Sequence, residues 1–464
     1  MSTVSLDRIR EALEGAIPAI MATCAADGTP NVAFLSQVQY VDEQHVALSY
    51  QFFNKTRRNI LANPQGHLTV MHPQTAQIFR LRLHYLRTET SGPLFERMRA
   101  HLEGIASHTG MSGVFRLLGS DVYRVSEVEA QPGRTLPLPP QRPSLLPLVR
   151  RASEALGQCA DLSTLTDTLL QVLQQQLGVE HAMVLLLDEA GQRLYTVGSV
   201  GYARSGIGSE VALGDGVVGT CAASRTTIRI SWMTQAYRYS QTIRDEVLSD
   251  GQGNQLSTQI PYPGLKDPHS QVGVPLLHAG RLWGVLFVES EQDLRYTYDD
   301  EDALAILGTQ WAAAWHALQA QQMAAEAHPE APGEPPYQPR QGEQPSALAA
   351  ETGASIPKVL QVSCYAGSHS VFADGQYVIK GVAGAILWHL LTEHQHSGRT
   401  EFSNRQLRLN PAIGLPDVVD NLEARLILLR RRLAEQNLGV DLEKAGRGRL
   451  RLRVERQLQL RWVG

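Results

Sequence analysis

Asn54-Lys55-Thr56-Arg57-Arg58-Asn59-Ile60-Leu61-Ala62-Asn63-Pro64 is the stretch from which the fold can be read. It packs three cations, a hydroxyl and two amides into little more than one helical turn. A strand-like run, His45 to Tyr50, precedes it, and another, His67 to Met71, follows. A short cationic helix between strands can hold a phosphate, because its charged side chains and its free N–H groups point the same way. The same pattern also suits a solvated basic turn. The rest of the chain has to choose between them.

Working outward, a helix over Leu6 to Glu14 leads into Ile17–Cys24, an Asp27-Gly28 turn, and Asn31–Tyr40. Two β-rich runs joined at Asp-Gly predict a hairpin. His45–Tyr50 is a third strand. After the cationic helix come strands at His67–Met71 and Gln77–Glu89, a helix from Pro93 to Ser107, and a last strand from Asp121 to Val128. The pattern predicts a small antiparallel barrel with helices at its edges.

This order of strands around Lys-Thr-x-x-Asn-Ile-x-x-Asn-Pro resembles the pyridoxamine 5′-phosphate oxidase-like, FMN-binding split barrel, over roughly residues 10–130. The resemblance implies that two chains pair and that FMN lies in a groove between them. It implies that Lys55 and Thr56 meet the phosphate, with Arg57, Arg58 and Asn59 beside them. It also implies that Ser36, Gln37, Ser49 and Tyr50 line the flavin ring. No residue pattern marks a catalytic group; if the chain is an enzyme, the resemblance makes it a flavin-dependent oxidoreductase. His72, His84 and His101 stand alone, as structural histidines do.

The chain has 464 residues, 43% hydrophobic and 19% charged, which is ordinary globular composition and room for about three domains. No apolar run approaches the ~20 residues of a membrane span, and Met1 to Ala12 has no signal-peptide core, so a cytoplasmic protein is expected. The four cysteines (Cys24, Cys159, Cys221, Cys364) form no CxxC, so neither a disulfide framework nor a metal site is expected. Two segments read as linkers: a proline-dense one at 131–144, and one at 327–356 rich in Pro, Glu, Gln, Gly and Ala, expected to be disordered. They divide the chain into 1–130, 145–326 and 357–464. Net charge is close to zero in the first part, negative in the middle and positive in the last, where 16 basic face 10 acidic residues. A nucleic-acid-facing module has that bias.

In the middle part, a helix pair lies within Leu145–Leu177, then strands at Ala182–Asp188 and Leu194–Gly201. Gly214-Asp215-Gly216-Val217-Val218-Gly219 opens a helix holding Cys221. Gln271–Leu277 and Leu282–Ser290 form a second hairpin, and a helix from Asp299 to Ala320, capped by Thr297 or Asp299, closes the unit. The glycine-rich run, Val272-Gly273-Val274-Pro275-Leu276 and Trp283-Gly284-Val285-Leu286 resemble a GAF domain. The resemblance implies an α+β fold that binds an unnamed small ligand or dimerises. Helical Cys221 and the long segment Trp232–Ser270, with Trp232, Tyr239, Arg244 and His269, are its candidate pocket residues. No Cys-His pair has the spacing of a covalent bilin site.

In the last part, short strands at Val359–Tyr365, Val371–Phe372 and Gln376–Lys380 precede a helix at Ala383–His394 and a short one at Asn404–Arg408 with Ser403 as N-cap. A basic helix runs from about Asp417 to Gln436, and Val440 to Val463 reads as a hairpin. Leu429-Arg430-Arg431-Arg432-Leu433 and Gly446-Arg447-Gly448 resemble the recognition helix and wing of OmpR-like winged-helix output domains. The resemblance implies duplex DNA as partner and Arg425, Arg430, Arg431, Arg432, Arg447 and Arg449 as its contacts. Ile427, Leu428, Asp420 and Glu423 differ from the family pattern and would equally suit a winged helix that docks protein. The expected fold class is thus multidomain: an antiparallel split β-barrel, then an α+β GAF domain, then a winged helix. The expected function is a homodimeric one-component sensory regulator. The alternatives are an FMN-dependent oxidoreductase with regulatory domains, or a signalling scaffold.

Overall fold

In a computed structural model, the chain is described over residues 4–13, 17–35, 38–50, 54–108, 117–138, 140, 142–188, 192–232, 260, 262–327, 359–415, 422–446 and 448–463. The chain divides into two compact units. One holds the N-terminal barrel and the middle domain; the other holds the C-terminal domain.

The barrel begins with a 3-10 helix, Leu6–Leu13, whose Leu6, Ile9 and Leu13 are buried. Strands β1 (Ala19–Cys24) and β2 (Pro30–Leu35) pair antiparallel around the Asp27-Gly28 turn, as the Asp-Gly signal predicts. The expected single strand Asn31–Tyr40 is two strands, β2 and β3 (Val38–Asp42). They are not neighbours: β2 and β3 form the two edges of one sheet, ordered β2-β1-β5-β6-β7-β4-β3. Its other members are β4 (His45–Tyr50), β5 (Gln65–Met71), β6 (Ile78–Glu89) and β7 (Gly119–Ala130). The cationic stretch is helix α1 (Asn54–Ala62), and α2 (Pro93–His108) crosses between β6 and β7. Alternation in β1, buried at Ala19 and Met21 and exposed at Ile20, puts one sheet face into a core shared with Leu68, Leu81, Leu83 and the 3-10 helix.

Two described residues of the 131–144 linker are tied to the domains beside it. Leu136 donates its N–H to the Thr75 carbonyl at 2.8 Å, and Arg142 donates to Asp300 at 2.9 Å. The linker expected at 327–356 lies, but for Ala327, outside the described residues.

In the middle domain, helices α3 (Leu146–Gly157) and α4 (Leu162–Gln175) precede β8 (His181–Asp188), β9 (Arg193–Val200) and β10 (Glu210–Ala212). Helix α5 (Gly216–Ser224), β11 (Ile228–Ile230), β12 (Ser270–His278), β13 (Arg281–Ser290) and α6 (Tyr298–Ala327) complete it. The sheet order is β10-β9-β8-β13-β12-β11. Gly284 is needed where β13 crosses β8: a Cβ there would lie 1.9 Å from the Leu185 carbonyl oxygen. Helix α6 starts on a reciprocal cap. Thr297 donates its N–H to Asp300 at 2.8 Å, and the Asp300 N–H returns to the Thr297 hydroxyl at 3.4 Å.

In the C-terminal unit, β14 (Val359–Tyr365), β15 (Ser370–Ala373) and β16 (Gln376–Ile379) form a meander, followed by α7 (Gly381–Ser397), β17 (Glu401–Ser403), α8 (Asn404–Arg408) and α9 (Leu422–Gln436). Ser403 caps α8 through a full capping box with Gln406. The expected hairpin Val440–Val463 is instead three strands: β18 (Val440–Lys444), β19 (Arg449–Val454) and β20 (Gln457–Val463). Only β18 and β19 pair as a hairpin, with β17 as third strand. Strand β20 returns to run parallel to β14, Val359 opposite Gln457, and closes a four-stranded sheet. The sequence pattern could not separate these, because apolar alternation continues through both sides of Glu455-Arg456. Among the described residues, no helix is long and apolar enough to cross a membrane.

Candidate functional site

Helix α1 is fastened by the motif residues themselves. Asn31 of β2 donates to the Thr56 hydroxyl at 3.0 Å and to the Thr23 hydroxyl at 3.3 Å, and Asn59 donates to Thr23 at 3.2 Å. Thr23, Thr56 and Asn59 are all buried, so these bonds replace water that the groups have lost. Arg57 turns back to the sheet. Its guanidinium donates to the Asp121 carboxylate and, at 2.9 Å, to the Thr88 hydroxyl, and it lies 4.4 Å from the Tyr50 ring centre. Burial disfavours the Arg57 charge, but Asp121 outweighs it and holds the guanidinium above its ordinary value. Lys55 is exposed near the helix start, and Arg58 is exposed one turn further on. The five motif residues therefore split: Thr56, Arg57 and Asn59 anchor the helix, while Lys55 and Arg58 are exposed, Arg58 with a contact of its own within the chain. Ser49 is buried and Tyr50 packs under Arg57; Ser36 and Gln37 lie outside the described residues.

The middle domain presents one face of its sheet to α5. Met183, Leu185, Val285, Phe287, Ile228 and Ile230 from the strands meet Val217, Val218 and Cys221 from the helix. Cys221 is fully buried, and a Cβ on Gly273 would lie 3.2 Å from its Cβ. Burial pushes its thiol well above the ordinary range. His269 is held between acids, Nδ1 at 3.0 Å from Asp293 and Nε2 at 3.5 Å from Asp267. Trp232 is exposed, and Tyr239 and Arg244 lie outside the described residues. So Cys221 and His269 belong to different surroundings, one in the core and one among surface acids.

Sequence reasoning missed the polar end of this same face. His181, Glu289 and Gln271 stand side by side on β8, β13 and β12. Glu289 is 1% exposed; its carboxylate accepts the Leu265 N–H at 2.8 Å and a Gln271 amide hydrogen at 3.1 Å. Burial raises its pKa above the ordinary carboxylate value, partly offset by those donors. The Tyr202 ring lies 5.2 Å from the His181 ring. A glutamate inside the apolar run Leu286-Phe287-Val288-Glu289 was the available signal, since such a residue is seldom buried without a purpose.

Residues 161–315 match the GAF domain family. Residues 5–112 match the pyridoxamine 5′-phosphate oxidase family. The protein is thus multidomain, with a β-rich, barrel-like N-terminal domain followed by a GAF domain. No curated protein matches the chain. Among solved structures, the GAF domain of an Acinetobacter phosphoenolpyruvate-protein phosphotransferase is 19% identical, with 39% of this chain and 97% of that chain covered and a TM-score of 0.31. Free methionine-R-sulfoxide reductase from Neisseria meningitidis, in complex with its substrate, is 17% identical over 38% of this chain and 89% of that one, TM-score 0.29. An FMN-binding protein from Syntrophomonas wolfei subsp. wolfei is 15% identical over 27% of this chain and 88% of that one, TM-score 0.24.

Beyond the GAF domain, the C-terminal unit sorts its arginines sharply. Arg432 donates to the carbonyls of Val378 and Tyr377 at 3.0 and 3.4 Å, so it ties α9 to β16. Arg425 and Arg431 are partly buried and make polar contacts within the chain. Arg430 is partly buried like them and Arg449 is exposed; Arg447 lies outside the described residues. Ile427 and Leu428 are buried, so they belong to the core side of α9. Glu423 is hydrogen-bonded by Asn404 and half-buried, and burial raises its pKa above the ordinary carboxylate value. On β19, Arg451 and Arg453 pair with Glu401 and Glu443 at 2.9 and 3.0 Å.

Proposed function

We propose that the chain is a sensory regulator whose barrel holds FMN or a related phosphate-bearing ligand, whose GAF domain takes a second small ligand, and whose C-terminal unit is a winged helix acting on duplex DNA. The observation that carries the first part is the division of labour on α1. Thr56, Arg57 and Asn59 fix the helix to the sheet, while Lys55 is exposed near its N-terminal N–H groups, and Arg58, which also makes a contact within the chain, is exposed one turn further on. That donor set fits a phosphate monoester. A bound flavin would supply redox chemistry; the chain's own part is to grip the phosphate and hold the helix still.

The same domain supports a homodimer. Ile20, Val32 and Phe34 stand on the outward face of the β1–β2 hairpin, Ile20 opposite Phe34, and are 38%, 63% and 67% exposed. An apolar stripe of this kind on a sheet face calls for a covering partner, and a second copy supplies an identical stripe. Titrating the purified chain with FMN and following flavin fluorescence tests the first part. Saturable quenching, weakened at least about tenfold in Lys55→Ala/Arg58→Ala, supports it. Flavin fluorescence that stays that of free FMN rejects it.

DNA binding rests on the cationic C-terminal unit, with Arg449 exposed and Arg430 half-buried on α9. A second reading, protein docking by the same unit, is favoured by the pairing of Arg451 and Arg453 with acids, which removes much of the positive field from β19. Random duplex at low salt discriminates them. Binding that weakens steeply with salt supports the DNA reading; no binding at any salt leaves protein docking.

A further inference from the structure

Helix α2 belongs to two cores at once. Met98 and Leu102 lie one turn apart and pack, with Phe95, against Ala47 and Val122 of the barrel sheet. Ala100 and Gly104 lie one turn apart on the opposite side, since two residues advance a helix by about 200°. Ala100 is fully buried in the cluster that contains Val217, Cys221 and Ile228 of the GAF domain. A Cβ on Gly104 would come 3.2 Å from the Ile228 side chain. The small residues let α2 approach α5, which packs on one face of the GAF sheet, and β11, the sheet's edge strand.

The barrel end of this contact reaches the ligand helix through one strand. On β7, Val122 faces α2, and its neighbour Asp121 faces the other way, as alternation requires, and holds Arg57 of α1. A second clasp joins the same two domains. The Arg10 guanidinium lies 4.6 Å from the Tyr40 ring centre and 4.0 Å from that of Tyr298, and Arg229 lies 4.3 Å from the Tyr298 ring centre. Arg10 and Tyr40 come from the barrel; Tyr298 and Arg229 come from α6 and β11. Arg229 is fixed in turn by Glu301 at 2.8 Å.

We infer that α2 couples the ligand helix of the barrel to α5 of the GAF domain, so that a change in the packing of α5 alters the grip of α1 on its phosphate ligand, and ligand at α1 stiffens α5. Close-packed interiors pass displacement on rather than absorb it, and such linkage is reciprocal by thermodynamic necessity. The ligand part of the inference rests on the flavin reading above; the mechanical part does not.

The test is hydrogen exchange and FMN titration of the full chain carrying Gly104→Leu, with Gly104→Ala as the milder change should the first fail to fold. Both substitutions sit on the GAF side of α2 and leave α1 and β7 untouched. The expected result is faster exchange in β7, residues 119–130, as well as in residues 216–230, and an FMN affinity lowered at least about fivefold. Faster exchange confined to 216–230, with β7 at the wild-type rate, overturns the inference, as does an unchanged FMN affinity in a chain that binds FMN. If the wild type binds no FMN, the flavin reading fails by itself, and the exchange of β7 alone decides whether α2 couples the domains.

Discussion

Acidification is expected to loosen the junction between the barrel and the GAF domain through one histidine. His101 follows Ala100 on α2. Burial, with the Arg229 guanidinium adding to it, pushes its imidazole from 6.5 down to about 4. The ring is therefore neutral in the folded chain at pH 7. Between pH 6.5 and about 4 the unfolded chain binds a proton that the folded chain refuses. Stability is thus full above the unfolded value and falls as pH drops through that window. At about 1.4 kcal/mol per pH unit, the span from 6.5 to about 4 sets a ceiling of roughly 3 kcal/mol. His101 is partly rather than fully buried, so solvent screening keeps the realised loss below that ceiling. Urea unfolding of the wild type and His101→Gln across this range measures it. Glutamine keeps a polar side chain of similar length and does not titrate. The wild type should lose stability relative to the variant as pH falls, by about 1–3 kcal/mol at the acid end, with the two curves parallel above neutrality. Curves that stay parallel throughout refute the reasoning, because they mean that His101 accepts its proton without leaving the fold.

Other expectations are simpler. Arg57→Ala should cost about 3 kcal/mol, because it strands the nearly buried Asp121 carboxylate, whereas Lys55→Ala should stay within about 0.5 kcal/mol; thermal unfolding without ligand separates an anchor from an outward-facing cation. Glu289 has a raised pKa in the fold, so its contribution is full below the unfolded value and is lost as pH rises through the folded one. Glu289→Gln should therefore gain melting temperature relative to the wild type between pH 5 and pH 8, and the opposite trend would contradict the burial argument. A thiol reagent on the native chain should modify the partly exposed Cys24 and Cys159 and spare the buried Cys221 and Cys364 until denaturant is added. Rapid labelling of native Cys221 would mean that the α5 face opens.

The barrel was legible because its signals are local. The Asp27-Gly28 turn, the apolar alternation around it and the Lys-Thr-x-x-Asn run fall within a few residues of one another, and the structure places β1, β2, β4 and α1 there. The placing of β2 and β3 at opposite edges of the sheet was not legible, because alternation alone does not say which neighbour a strand will choose. The return of β20 to β14 was hidden for the same reason. Site residues were harder still. Lys55 through Asn59 read as one cationic cluster, yet whether a cation grips a ligand or a carboxylate depends on Asp121, far along the chain. Cys221 read as a residue of the helix after the glycine-rich run, and that it packs on Gly273 of β12 was not legible there.

What the sequence determined by itself, then, is that a barrel-like domain precedes a GAF domain, most of the helices and strands within them, and the cationic character of the 54–64 stretch, since these follow from turn chemistry, periodicity and short-range charge. Tertiary structure alone decided which of those charges remain outward, that Glu289 is the buried acid of the GAF face, and that α2 is shared between two cores. Those depend on contacts between residues tens to hundreds of positions apart. Such contacts leave no mark on the local pattern, because a cation beside water and a cation beside a distant carboxylate are spelled with the same letter.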